Sequence, residues 1–218
     1  METRNHPVKR LGIIGAVNGD INQLQRLLEK LEEKQLDAIL CMGNLTGAES
    51  LEPKFRQLFK KNKDLLPVVG NRDWQHVLDP VDSTMNAKTC DWLLQQAQVQ
   101  VMPTTAGKIM AFYGQYLQRL GGYSDFEPYA LEINMTAGLT NFMENEEVFP
   151  ALEAMIPQFQ TDVILFGQTG QWNHWVVADK LFISVGDYAL NDPLSWGLLE
   201  DTGNGFSFEC LFRAHVHR

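Results

Sequence analysis

The chain has 218 residues, 44% of them apolar and 21% charged, which fits one folded α/β domain over residues 1–218 and excludes a disordered chain. Eighteen Lys plus Arg against 27 Asp plus Glu give a formal charge of −9, which opposes binding to a phosphate backbone. The densest basic spots, Lys60, Lys61 and Lys63 with the pair Lys9-Arg10, are too short to reverse that balance, so nucleic acid is not an expected partner.

Residues 9–15 form a short apolar run closed by a polar turn, and the pattern predicts a buried strand. A helix opens behind it at Asp20, whose carboxylate suits an N-cap, and Ile21, Leu24, Leu27, Leu28 and Leu31 recur at helical spacing. Residues 37–42 predict a second buried strand ending on Gly43-Asn44, which completes a βαβ unit. A second helix over 48–61 leads to a third strand, 65–69, ending on Gly70-Asn71-Arg72-Asp73. Ligand sites in open α/β sheets gather at the carboxyl ends of strands, so these turns are the first candidates for a site.

Residues 74–83 break the pattern and read as a loop carrying Pro80, followed by a helix over 87–98. Strands are predicted at 108–113 and 129–133 with Gly121-Gly122 between them, then a helix over 146–159. A strand over 161–166 ends on Gly167-Gln168-Thr169-Gly170. The last fifty residues carry short apolar runs at 175–178, 181–184, 196–199 and 206–212, separated by turns, and read as antiparallel hairpins.

Cys41, Cys90 and Cys210 are an odd number without CxxC spacing, so they suggest neither a disulfide framework nor a zinc knuckle and fit a reducing, cytoplasmic setting. The apolar run 11–17 behind Lys9-Arg10 has the outline of a signal peptide. It contains Gly12 and Gly15 and ends in Asn18-Gly19-Asp20 rather than a small-residue cleavage site, so it reads as strand. No run of about 18 apolar residues predicts a membrane span.

The order and spacing of the strand-end turns resemble the calcineurin-like metallophosphoesterase superfamily over nearly the whole chain. The family's Asp-x-His-Gly, Gly-Asp, Gly-Asn-His-Asp/Glu and Gly-His-x-His frames correspond here to Ala16-Val17-Asn18-Gly19, Gly43-Asn44, Gly70-Asn71-Arg72-Asp73 and Gly167-Gln168-Thr169-Gly170. The closing Leu181-Phe-Ile-Ser-Val-Gly186 is similar to the family strand before a Gly-Ser turn, with Asp187 in place of Ser. The resemblance implies a four-layer α/β/β/α sandwich with these frames converging on one cleft.

In the family those frames hold two divalent cations about 3.5–4 Å apart, which activate a water and clamp a phosphoryl group. Carboxylates and neutral imidazoles hold such a pair because they offset its mutual repulsion. The resemblance places vestigial metal positions at Ala16, Asn18, Asn44, Asn71, Arg72, Gln168 and Gly170. A further family histidine aligns with either Asn134 or Tyr113. Of these only Asn71 keeps the family residue type, so no metal cofactor and no catalytic residue is expected.

Three functional classes follow. The first is a non-catalytic pseudoenzyme that binds another protein, as the retromer subunit of this fold does, with Trp74, Phe126, Phe142 and Trp172 as loop aromatics for docking. The second is a phosphoesterase with an unusual Mn or Zn centre built from Asp20, Asp73, His174 or Asp187. A register in which Gly19-Asp20-Ile21-Asn22 takes the first frame would supply Asp20. The third is a metal-free binder of a small anion at Arg72 and the amides after Asn18. Arg72, Asp73 and His174 are the candidate ligand-binding residues, and Arg72 is expected to turn toward Asp73, a nearby carboxylate or solvent. His215 and His217 have ligand-like spacing at the chain end but no third ligand nearby.

Overall fold

The computed structural model describes residues 2–3, 6–47, 52–78, 86–113, 149–150, 152–153, 156–170, 172–186 and 195–211. Within them β2 (Arg10–Ile14), β3 (Ala38–Met42) and β4 (Leu65–Val68) run parallel. They are buried on both faces, which is why each reads as a near-continuous apolar run. Their connections hold α1 (Ile21–Glu32) and α2 (Glu52–Lys61). Asp20 caps α1 by accepting the Gln23 N–H at 3.0 Å, and Ile21, Leu24, Leu27 and Leu31 form its buried stripe. Beside β2 the sheet continues antiparallel through β10 (Trp196–Asp201) to β11 (Phe206–Leu211), in the order β11-β10-β2-β3-β4.

The second sheet contains β1 (Glu2–Thr3), β5 (Val99–Pro103), β6 (Lys108–Phe112), β7 (Val163–Gly170), β8 (Asn173–Val177) and β9 (Lys180–Gly186), in the order β1-β5-β6-β7-β9-β8. β6, β7 and β9 are parallel, so their carboxyl ends lie together. The hairpins expected in the last fifty residues are present as the antiparallel pairs β8–β9 and β10–β11.

Ile13, Leu40, Val68, Ala111, Leu165 and Ile183 fill the space between the sheets. On the outer face of the five-stranded sheet, α1 and α2 pack with α3 (Asn71–Leu78) and α4 (Ala87–Leu94), and Phe55, Phe59 and Trp92 meet with ring centroids 5.1–6.4 Å apart. Leu152 and Phe159 cover Phe112, Phe166 and Phe182 on the outer face of the other sheet. Two mixed sheets flanked by helices are the expected four layers.

Some local expectations fail. Residues 71–78 are the helix α3 where a loop was expected from residue 74. The Asp73 carboxylate accepts the Gly70 N–H at 2.8 Å, satisfying a helix-start donor, while Trp74 and Val77 bury against the layer below. The helix expected over 87–98 stops at Leu94, and residues 99–103 are the unexpected β5. Leu93 and Ala97 extend the helical spacing, but pairing with β1 and β6 decides the conformation. The fourth frame is not a turn, since residues 167–170 lie inside β7, whose register with β9 shifts between Phe166 and Gly170. The helix expected from residue 48 is described from Glu52. Of the helix expected over 146–159, helical residues are described at 149–150 and 152–153, followed by a 3₁₀ turn at Ile156–Gln158. The strand at 129–133, the Gly121-Gly122 turn and Asn134 lie outside the described residues. Among the described residues no helix is long and apolar enough to cross a membrane.

Candidate functional site

The parallel strands deliver their following residues to one pole of the sandwich. Ala16 is buried there beyond β2. Asn18 and Asn44 both adopt left-handed backbone, φ 49° and 44°, a conformation that asparagine tolerates better than most side chains. This geometry lets the Asn18 N–H donate to the Asn44 carbonyl at 2.8 Å, joining the turns after β2 and β3.

The Asn44 side chain is engaged at both ends. Its Oδ1 accepts the Arg72 backbone N–H at 3.1 Å, and its Nδ2 donates to the Tyr113 hydroxyl at 3.1 Å. Arg72 Nη1 donates to Asn18 Oδ1 at 3.1 Å, so Asn18, Asn44 and Arg72 close a loop of bonds. Tyr113 follows β6 and brings in the second sheet. A Cβ on Gly43 would lie 2.1 Å from Tyr113 Cδ2, and one on Gly167 would lie 2.0 Å from the same atom. The backbones just before Asn44 and Gln168 therefore touch one aromatic ring, which brings the second and fourth frames together. Gly170, φ 72°, ends β7.

Asp73 is wholly buried beneath this layer. Its Oδ2 accepts the Leu45 N–H at 2.9 Å and the Gly70 N–H at 2.8 Å, while its Oδ1 accepts the Thr46 N–H at 2.8 Å and the Thr46 hydroxyl at 2.7 Å. Burial pushes the carboxyl above the ordinary carboxylate range, and the Thr46 hydroxyl with the Gly70, Leu45 and Thr46 amides pull it partly back. Of the three directions expected for Arg72, toward Asp73, toward a nearby carboxylate or toward solvent, the side chain takes the exposed one. Adjacent residues at a helix start point different ways: Arg72 lies exposed over Asn18, and Asp73 ties the turn after β3 to the turn after β4.

A family model described as calcineurin-like phosphoesterase matches residues 6–218. The chain belongs to that family. No curated protein matches it. Among solved structures, a metallophosphoesterase from Sphaerobacter thermophilus is 14% identical with a TM-score of 0.60, covering 95% of this chain and 89% of its own. Vacuolar protein sorting 29 from Cryptosporidium parvum is 14% identical with a TM-score of 0.52, covering 94% of this chain and 98% of its own. Vps29 from Entamoeba histolytica, solved in complex with Zn²⁺, is 17% identical with a TM-score of 0.50, covering 93% of this chain and 97% of its own. At such identities these likenesses show the shared fold.

The other candidate residues of this calcineurin-like phosphoesterase chain take different places. Asp20 caps α1, its Oδ1 accepting the Gln23 N–H. His174 stands exposed on the edge strand β8 with its ring 5.5 Å from that of Phe208, and it does not join the bonds around Asn44. The Asn71 Oδ1 is buried without a hydrogen-bond partner. The Gln168 side chain, Asp187, His215 and His217 lie outside the description. Trp74 is core rather than a loop aromatic, and Trp172 stacks on Phe208 at 6.2 Å with its Nε1 donating to Ser195 Oγ at 3.4 Å. Phe126 and Phe142 lie outside the described residues. Among the described residues no three His, Cys, Asp or Glu side chains gather as metal ligands.

Proposed function

We propose that this calcineurin-like phosphoesterase-family chain is a non-catalytic, cytoplasmic interaction scaffold of one domain, binding another protein on a fold whose metal positions have been given over to hydrogen bonding among side chains and backbone. The observation that carries the reading is Asn44. Its Oδ1 and Nδ2 are both engaged, at 3.1 Å each, by Arg72 and Tyr113. A bridging metal position needs a free anionic oxygen, because two dications a few ångströms apart must be screened in low dielectric.

The surrounding residues fit a dinuclear centre no better. Ala16 and Gly170 offer no side-chain donor to a cation, and Asn18 Oδ1 is bonded to a guanidinium. Arg72 adds positive charge where the family places an imidazole, and Asp73 already accepts from its backbone neighbours and Thr46. Metal analysis of untagged protein, paired with an aryl phosphate assay in the presence of Mn²⁺, tests the proposal. Substoichiometric metal and no Mn-dependent turnover are expected. Stoichiometric Mn, Fe, Zn or Ni together with Mn-dependent turnover that chelator abolishes would overturn it.

A second reading rests on Asn71, whose buried amide oxygen lacks a partner. Such an oxygen accepts either a donor group or a cation. A single divalent ion such as Mn or Zn at that oxygen would be the starting point of an atypical phosphoesterase centre, and the same metal analysis separates the two readings. Arg72, exposed at the rim, is where a small anion would bind in a metal-free protein.

A further inference from the structure

We infer that Tyr113 is a plug that replaces a metal pair as the link between the two halves of this cleft. The inference rests on the metal-free reading above and names the residue that makes it structurally workable. Tyr113 belongs to the core between the sheets and is 8% exposed. It extends that core past the end of β6 into the cleft. Within its own sheet the ring lies against Gly167 of β7. Toward the other sheet it lies against Gly43, and its hydroxyl accepts from Asn44.

The two glycines make this contact feasible. A methyl group at either position would fall about 2 Å from ring carbons, well inside van der Waals separation, so the ring occupies the space that any side chain there would need. A metal pair requires open, donor-lined space between the second and fourth frames. Here ring carbon fills it, and the polar tip of the ring meets an amide. Among the described residues, the ring packing and the Asn44–Tyr113 hydrogen bond thus join the sheet ends, and neither depends on an ion.

Gly167 gives a clean probe, because it lacks the left-handed backbone that would strain an alanine at Gly43. A double-mutant cycle therefore combines Gly167→Ala with changes at Tyr113, read as melting temperature in apo protein and in protein with EDTA or with Mn²⁺ alone. Tyr113→Ala should lower the melting temperature by about 6–20 °C, from the cost of emptying an aromatic site and the size of the domain. Gly167→Ala should lower it in the native and Tyr113→Phe backgrounds, which keep the ring, and should lose most of that effect in Tyr113→Ala. If Tyr113→Ala does not fold, Tyr113→Leu, with a shorter and more mobile branch, should relieve Gly167→Ala in the same direction. An equal effect of Gly167→Ala in every background overturns the plug, whatever the metal content. A rise in native melting temperature with Mn²⁺, reversed by EDTA, overturns the metal-free reading on which the plug depends, whatever the cycle gives.

Discussion

Replacing Asp73 with alanine removes the acceptor for the Leu45, Thr46 and Gly70 amides and for the Thr46 hydroxyl, all held at 2.7–2.9 Å in a wholly buried place. Each orphaned buried donor costs about 1–3 kcal/mol when water cannot reach it. The desolvation of the carboxylate, the largest influence on its pKa, is relieved by the same change and offsets part of the loss. The net cost of Asp73→Ala is then on the order of 2–4 kcal/mol. Asp73→Asn sharpens the test, because each carboxylate oxygen receives two donors and an amide must turn its NH₂ toward one such pair. It should cost nearly as much as alanine despite its matching shape. Urea unfolding of both variants with an unchanged m-value supplies the measurement. An Asp73→Asn protein within about 0.5 kcal/mol of native would refute the claim that Asp73 acts as an acceptor for four donors.

Asn44→Leu should cost about 1–3 kcal/mol in the same assay, because it orphans the Arg72 N–H and the Tyr113 contact, and chelator should leave the native midpoint unchanged. Asp201 accepts from Thr105, Ala106 and Gly203, and these bonds outweigh its desolvation and hold its carboxyl below the ordinary value. Its folded-state pKa is depressed, so its stabilisation is present above the ordinary carboxylate value of about 3.9 and is lost as pH falls through the lower folded value; Asp201→Asn should be destabilising at pH 7 and less so as the pH is lowered below the ordinary value. Burial pushes the Cys210 thiol up to about 12. Its alkylation at pH 8 should be slower than that of a free cysteine by roughly a thousandfold and should rise toward pH 12, as peptide mass spectrometry would show.

The sheet that carries the first three ligand frames was legible because burial on both faces leaves a strong local signature. β2, β3 and β4 are short apolar runs that stop at polar, glycine-containing turns, and α1 carries both its cap and its stripe in sequence. The misreadings differ in cause. β5 owes its strand state to β1 and β6, partners that lie outside its own window of neighbouring residues. α3 starts on a local bond, Gly70 N–H to Asp73, within a frame whose glycine and aspartate read as a loop.

The site divides the same way. Neutral residues in the ligand frames are visible in the sequence, because a frame is a local pattern. What those residues bond to is not. Asn44 meets Tyr113 across 69 residues, and Leu45 and Thr46 meet Asp73 across 28 and 27. A signal for Tyr113 was nevertheless present: an aromatic with one polar atom stands at the end of a buried strand, one of two residues, with Asn134, that could align with a position where the family keeps a ligand. A buried phenol requires a hydrogen-bond partner, and a neutral amide at the bridging position supplies one. Two neutral groups can meet there without burying an unpaired charge.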